Sequence, residues 1–103
     1  MSEWIRVATL SELPPGGIKL AATEIGTVAI FNIGGGLLAI EDRCSHDGGE
    51  LASGQCVGDC IVCPRHGARF SLRTGEALTP PAYESIATFP LRIDGEAVLI
   101  DIG

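Results

Sequence analysis

Two short motifs constrain this chain more than anything else in it: Cys44-Ser45-His46 and, after sixteen intervening residues, Cys63-Pro64-Arg65-His66. The chain contains only two histidines, and each stands within three residues of a cysteine. Two thiolates and two imidazoles can hold one metal centre. Each motif alone offers only two donors, so both are needed to close such a site.

The remainder of the composition bounds the fold. A chain of 103 residues, 46% apolar and with 14 glycines, makes one compact, turn-rich unit with no room for a second core. Helix signals are poor and β-branched runs are many, which favours an all-β class. The formal net charge of −6 argues against nucleic-acid binding. Between Asp42 and Arg73, four acids (Asp42, Asp47, Glu50, Asp59) are balanced by four arginines (Arg43, Arg65, Arg69, Arg73). The other segments carry nine acids against Arg6, Lys19 and Arg92, so the excess lies away from the two motifs.

Four cysteines suit a disulfide framework in a secreted protein, but residues 1 to 17 hold Glu3, Arg6, Glu12 and two prolines and no apolar leader. Metal ligation needs free thiolates. The uncharged run from Ile25 to Ile40 is shorter than a membrane span and is interrupted by Gly26, Asn32 and Gly34-Gly35-Gly36. A cytoplasmic protein with no membrane segment is expected.

Along the chain, strands are expected at Trp4 to Ala8, Ile18 to Ala22, Thr27 to Ile33 and Leu37 to Glu41. Leu13-Pro14-Pro15-Gly16-Gly17 and the triple glycine make the intervening turns. Glu50 to Gln55 is at most one helical turn. Gln55 to Val57 and Cys60 to Val62 read as a hairpin turning at Gly58-Asp59. Arg69 to Leu72 and Glu76 to Leu78 pair across Thr74-Gly75, and Thr79-Pro80-Pro81-Ala82 is a rigid loop. In the last hairpin Ala87, Phe89, Leu91 and Ile93 alternate with Thr88, Pro90 and Arg92, Asp94-Gly95 turns, and Val98, Ile100 and Ile102 return. Pro90 has no N–H and belongs on an edge or at a bulge.

Several chemistries remain open for the four donors. The same residue types bind Zn²⁺ tetrahedrally, although structural zinc sites favour C-x₂₋₄-C and H-x₃₋₅-H pairs. A Cys₄ iron–sulfur cluster drawn from Cys44, Cys56, Cys60 and Cys63 has a spacing one residue short of the plant type. Two core histidines beside cysteines fit poorly with such Gly-, Pro- and charge-rich loops. A Cys–His nucleophile leaves the second pair unexplained. A [2Fe–2S] cluster with His₂ replacing Cys₂ on one iron uses all four. Neutral imidazoles make that cluster less negative than a four-thiolate one, so an added electron is easier to hold. The donors then suit one-electron transfer with no substrate chemistry implied.

Cys44-Ser45-His46-Asp47-Gly48-Gly49 and Cys63-Pro64-Arg65-His66-Gly67-Ala68-Arg69-Phe70, followed by Thr74-Gly75, resemble the two boxes of Rieske ferredoxins, the small carriers that feed ring-hydroxylating oxygenases. The likeness extends over nearly the whole chain, through the Leu13-Pro14-Pro15-Gly16 turn, the Pro81-Ala82 loop and the Phe89-Pro90-Leu91-Arg92-Ile93 hairpin. It implies an antiparallel β-sandwich, with residues 1–103 as one Rieske domain and a cluster-binding subdomain at about 43–67. Cys44 and Cys63 would hold a buried iron of one [2Fe–2S] cluster. His46 and His66 would hold the outer iron, under a loop at Pro80-Pro81.

Two departures refine the resemblance. Members from respiratory and photosynthetic cytochrome complexes carry a further cysteine in each box, forming a disulfide between the loops; those positions are Gly49 and Arg65 here. The same members carry Ser and Tyr where this chain has Ala68 and Phe70, both donating hydrogen bonds to sulfur. Without those donors the potential is expected near the low end of the family range, roughly −150 mV. Cys56 and Cys60 match no ligand position and are expected as buried small side chains, a cross-strand disulfide being the lesser alternative.

The resemblance implies an electron carrier rather than an enzyme: a monomer that takes electrons from a flavin-dependent ferredoxin reductase and passes them to a terminal oxygenase. The alternatives are the small subunit of a nitrite-reductase-type complex and a zinc-stabilised interaction module. Arg65, between two ligand positions, is expected to project its charge beside the cluster and orient the partner. The expected docking tip comprises Ser45, Asp47, Gly48, Arg65, Gly67 and Pro81.

Overall fold

The computed structural model describes residues 2–34 and 36–103, so Met1 and Gly35, the centre of the expected triple-glycine turn, lie outside the described residues. Among these, nine strands form: β1 (Trp4–Thr9), β2 (Ile18–Thr23), β3 (Gly26–Ile33), β4 (Gly36–Glu41), β5 (Cys56–Val57), β6 (Cys60–Val62), β7 (Arg69–Ser71), β8 (Leu91–Asp94) and β9 (Ala97–Asp101). They pair antiparallel in three three-stranded sheets, ordered β1-β9-β8, β2-β3-β4 and β5-β6-β7. The expected all-β class is what the chain adopts.

The uncharged run from Ile25 to Ile40 explains the layering. A strand buried on both faces reads as continuously apolar rather than alternating. On β3, Val28 and Ile30 join Ala8, Leu13, Ala39, Val98 and Ile100 in one buried cluster. Its intervening residues Ala29 and Phe31 join Ile40, Leu51, Ile61 and Phe70 in another. The β2-β3-β4 sheet therefore lies between the β1-β9-β8 sheet on one side and the β5-β6-β7 sheet on the other. Phe31 and Ile40, both fully buried, each contribute about 1.5–3 kcal/mol of apolar transfer.

Asn32 is the polar exception on β3. Its side-chain amide donates to the Leu13 carbonyl at 2.7 Å. Its backbone N–H donates to the Gly17 carbonyl, and its carbonyl accepts from the Gly16 N–H. These bonds moor the Leu13–Gly17 turn to the central strand. At the opposite edge, the Arg92 guanidinium lies 4.5 Å from the centre of the Trp4 ring, bridging β8 and β1 across β9. Pro90 immediately precedes β8, an outer strand, as its missing N–H requires.

Three local expectations need correction, and one short element was not anticipated. A 3₁₀ turn forms at Leu10–Glu12, where the Glu12 carboxylate accepts from the Thr9 N–H at 2.8 Å. The signature Thr9-x-x-Glu12 was present in the sequence as half of a capping box. Residues 50–55 form no helix, within the expected limit of one turn, whereas Glu76–Leu78 makes one bridge, Phe70↔Ala77, rather than the expected strand. Ile93 is 53% exposed although its register partner Val98 is buried, because β8 is an outer strand. Cys56 is exposed and Cys60 half-buried, so neither is a buried core residue. Their register, Cys56↔Ile61 and Val57↔Cys60, puts the two thiols on opposite faces of the hairpin, and both are free.

Candidate metal centre

Both cysteine–histidine motifs begin where a strand ends, the first just beyond β4 and the second at the end of β6. The two loops close in the same way. The Cys44 N–H donates to the Gly49 carbonyl at 2.7 Å, and the Gly48 N–H returns to the Cys44 carbonyl at 2.8 Å. In the second loop Cys63 N–H donates to Ala68 at 2.7 Å, and Gly67 N–H returns to Cys63 at 3.0 Å. The residue four beyond each cysteine has a positive φ, 76° at Gly48 and 77° at Gly67, a conformation that glycine adopts without a Cβ clash. Each cysteine is thus held at the base of its own tight loop.

That closure buries the thiols and exposes the rings. Cys44 and Cys63 are 0% and 1% exposed, within the cluster that contains Leu51, Ile61 and Phe70. His46 and His66 are exposed, with ring centres 5.0 Å apart and planes nearly perpendicular. The two sulfurs and an Asp47 carboxylate oxygen lie within 4.8 Å of one another, and so do a nitrogen of each ring and an Asp47 oxygen. The structure thus gathers the thiols as one pair and the imidazoles as another, with Asp47 common to both groups.

The electrostatics suit a cation at the sulfurs. Burial pushes the Cys44 thiol above its usual range; the backbone N–H groups of Asp47 and His46 oppose that push, and the adjacent Cys63 adds to it. A cationic centre between two buried sulfurs removes the cost of ionising them, and thiolate is the form that iron binds. Two buried thiolates opposite two solvent-facing imidazoles match the donor set of a [2Fe–2S] cluster with one all-Cys and one all-His iron.

Asp47 does not stand free as a further ligand. The Arg65 guanidinium lies against it, with Nε to Oδ2 at 2.6 Å and Nη2 to Oδ1 at 3.1 Å. Oδ1 also accepts from the Gly49 N–H at 2.9 Å, an Asx turn of the kind Asp-Gly-Gly favours. Arg65 chiefly, and Gly49 after it, hold the Asp47 carboxyl well below the ordinary carboxylate range. Arg65 thus stands beside both motifs, as expected, and its charge is matched by Asp47, with the Glu50 carboxylate 3.6 Å away.

Two other polar side chains shape the site and were not singled out as such by sequence. Asp42 Oδ1 accepts from the Leu51 and Ala52 N–H groups at 2.8 and 2.9 Å, joining the ends of the segment that carries the first loop. Ser45 donates to the Glu84 carbonyl at 2.6 Å, tying that loop to the segment after Pro80-Pro81. In that segment Ala82 is buried with the cysteines and Tyr83 is 82% exposed. Ala68 and Phe70 are both fully buried in the same cluster.

Known proteins resemble this chain over most of its length. A family model described as the Rieske [2Fe-2S] domain matches residues 3–90. The 3-phenylpropionate/cinnamic acid dioxygenase ferredoxin subunit of Shigella boydii serotype 4 is 39% identical over 89 residues, covering 85% of this chain and 84% of that protein. The solved ferredoxin of Sphingomonas yanoikuyae B1 is similar with a TM-score of 0.89 and 27% identity, covering 98% of this chain and all of that one. A chain in the complex of reduced oxygenase and oxidized ferredoxin of carbazole 1,9a-dioxygenase gives a TM-score of 0.85 and 29% identity, with 95% and 92% covered.

Proposed function

Because the chain belongs to the Rieske [2Fe-2S] domain family, we propose that Cys44 and Cys63 ligate one iron of its single cluster and that His46 and His66 ligate the other. The protein is an electron-transfer ferredoxin, a component of a multicomponent oxygenase system and not itself the catalyst, and it delivers electrons to a terminal oxygenase. The cluster supplies a reversible one-electron couple. The chain's part is to bury the thiolate side, to present the imidazole side, and to keep both loops fixed while charge is exchanged.

Within that role, electrons come from a flavin-dependent ferredoxin reductase and leave through the His46/His66 edge. The protein acts as a cytoplasmic monomer in which residues 43–67 serve as the cluster-binding subdomain of one Rieske domain. The potential lies low in the family range, because buried Ala68 and Phe70 offer no hydroxyl to the sulfurs. Described helices include none long and apolar enough to cross a membrane.

One observation carries the ligand reading: two buried thiols under two exposed, mutually perpendicular imidazoles. Metal and sulfide analysis should find two irons and two labile sulfides per chain. Cys44→Ser, His46→Ala, Cys63→Ser and His66→Ala should each abolish the visible charge-transfer bands. Stoichiometric zinc without sulfide would overturn the reading. So would a Cys56→Ala/Cys60→Ser variant that loses its colour while His46→Ala keeps it.

A further inference from the structure

We propose that Arg65 is a latch between the two cysteine–histidine loops, closing on Asp47 and on the Glu50 backbone so that the spacing of the two imidazoles is held from outside the metal centre. The inference rests on the ligand reading above for its consequence, and on the following contacts for its substance.

Asp47 is the next residue after His46, and Arg65 is the residue before His66. A link between them thus acts on the backbone immediately beside both rings. The guanidinium makes a two-point fork on the Asp47 carboxylate, at 2.6 and 3.1 Å, and its Nη2 also donates to the Glu50 carbonyl at 2.8 Å. A planar fork fixes angle as well as distance, which a point charge on a flexible stem does not. Asp47 is in turn oriented by the Gly49 N–H, so both halves of the latch are braced before they meet.

Gly49 makes room for the closed latch. A Cβ at that position would lie 2.5 Å from the guanidinium carbon, 2.7 Å from Nη2 and 2.8 Å from Nε. Gly49 is not among the glycines with positive φ, so its backbone conformation is open to any residue. The three heavy atoms nearest an alanine Cβ there all belong to the Arg65 guanidinium. The absent side chain at position 49 is therefore explained by Arg65 rather than by the turn. The Arg65 and Asp47 side chains are 34% and 21% exposed, so the contact is only partly screened by water.

A latch and a charge effect make opposite demands on the same variants. Arg65→Gln removes a positive charge and Asp47→Asn a negative one, whereas Gly49→Ala changes no charge. For the latch, all three should act in one direction. Release of iron from the loaded protein to a chelator should be about fivefold faster in each, the size expected of a partly exposed fork. Amide exchange at Gly48 and Gly67 should quicken alongside, and the resonance spectrum of the reduced protein should broaden as the rings lose their fixed spacing. Arg65→Gln/Asp47→Asn should be no worse than the worse single variant, and Arg65→Lys should recover part of the loss.

The decisive comparison is Gly49→Ala in an Arg65→Ala background, where it should be silent. The proposal is overturned if Arg65→Gln and Asp47→Asn act with opposite sign. It is equally overturned if Gly49→Ala releases iron at the wild-type rate, or if it still acts once Arg65 is gone. Failure of the ligand reading shows separately, as wild-type protein with zinc or without sulfide, while exchange at Gly48 and Gly67 continues to report on the latch.

Discussion

Asp42→Ala is the perturbation whose cost follows most directly from the structure. One oxygen of this carboxylate accepts two backbone N–H groups, from Leu51 and Ala52, at 2.8 and 2.9 Å in a part-buried setting. The Asp42 N–H is itself held by the Thr27 carbonyl at 2.9 Å, so the acceptor is fixed to the middle sheet. Hydrogen bonds to a charged group are each worth about 1.5–3 kcal/mol, and water replaces part of that at a half-buried site. The expected loss is therefore about 2–3 kcal/mol. For a chain of this length that corresponds to a fall of about 10–20 °C in Tm. The local readout is sharper: protection of the Leu51 and Ala52 amides against hydrogen exchange should drop roughly 30- to 150-fold if their opening is governed by this contact. Asp42→Asn keeps a neutral acceptor and should lose about half as much free energy. If Asp42→Ala melts within a degree or two of wild type and both amides stay protected, the carboxylate does not close the loop segment and the reasoning fails.

Phe70→Tyr or Ala68→Ser places a hydroxyl among fully buried groups beside the cysteines, and a bond from it to sulfur favours the more negative reduced state. Redox titration should show the midpoint rising in either variant; an unchanged or lower value refutes the account of the missing donors. Ile61→Ala, beneath both loops at 0% exposure, should cost about 2–5 kcal/mol in denaturant unfolding, and a loss under 1 would mean the site collapses freely. Glu12 is held below its ordinary value of 4.5 chiefly by Lys19 and then by the Thr9 N–H. That stabilisation is present above about pH 4.5 and is lost as pH falls through the lower folded-state value, so Glu12→Gln should flatten the acid limb of the stability profile. An identical acid limb in the variant would remove the ion pair from the account.

Local patterns carried much of this structure. The alternation in Leu91, Ile93, Val98 and Ile100 located the last hairpin, and the paired Cys–His motifs named four side chains that the fold brings together as two pairs. What they lacked was anything set by distant partners. Ile93 obeys the same alternation as Leu91 but is left exposed on an outer strand, which no window of sequence reveals. Cys56 and Cys60 are both small apolar side chains, and only register separates them onto opposite faces of the β5-β6 hairpin. Arg65 and Asp47 lie eighteen positions apart, and nothing near either of them announces the other. Asp42 reads as one more loop acid, because its role depends on where the chain returns at Leu51.

The twin loop closures change the meaning of the interval that makes the two motifs conspicuous. Each cysteine is fixed by bonds reaching only to the fourth and fifth residues beyond it, so each half of the cradle is a self-contained unit. The halves meet side by side across the fold, through Arg65 and the shared core under them. Neither unit measures the chain that runs between them. Of the sixteen residues from Asp47 to Val62, those beyond the first closure and its moorings, from Ser53 to Val62, are the length of a detour, the path needed to turn at Gly58-Asp59 and climb back along β6. That detour is where the architecture can absorb or shed residues, as surface turns do, while the stretch from each cysteine to its closing carbonyl has no slack.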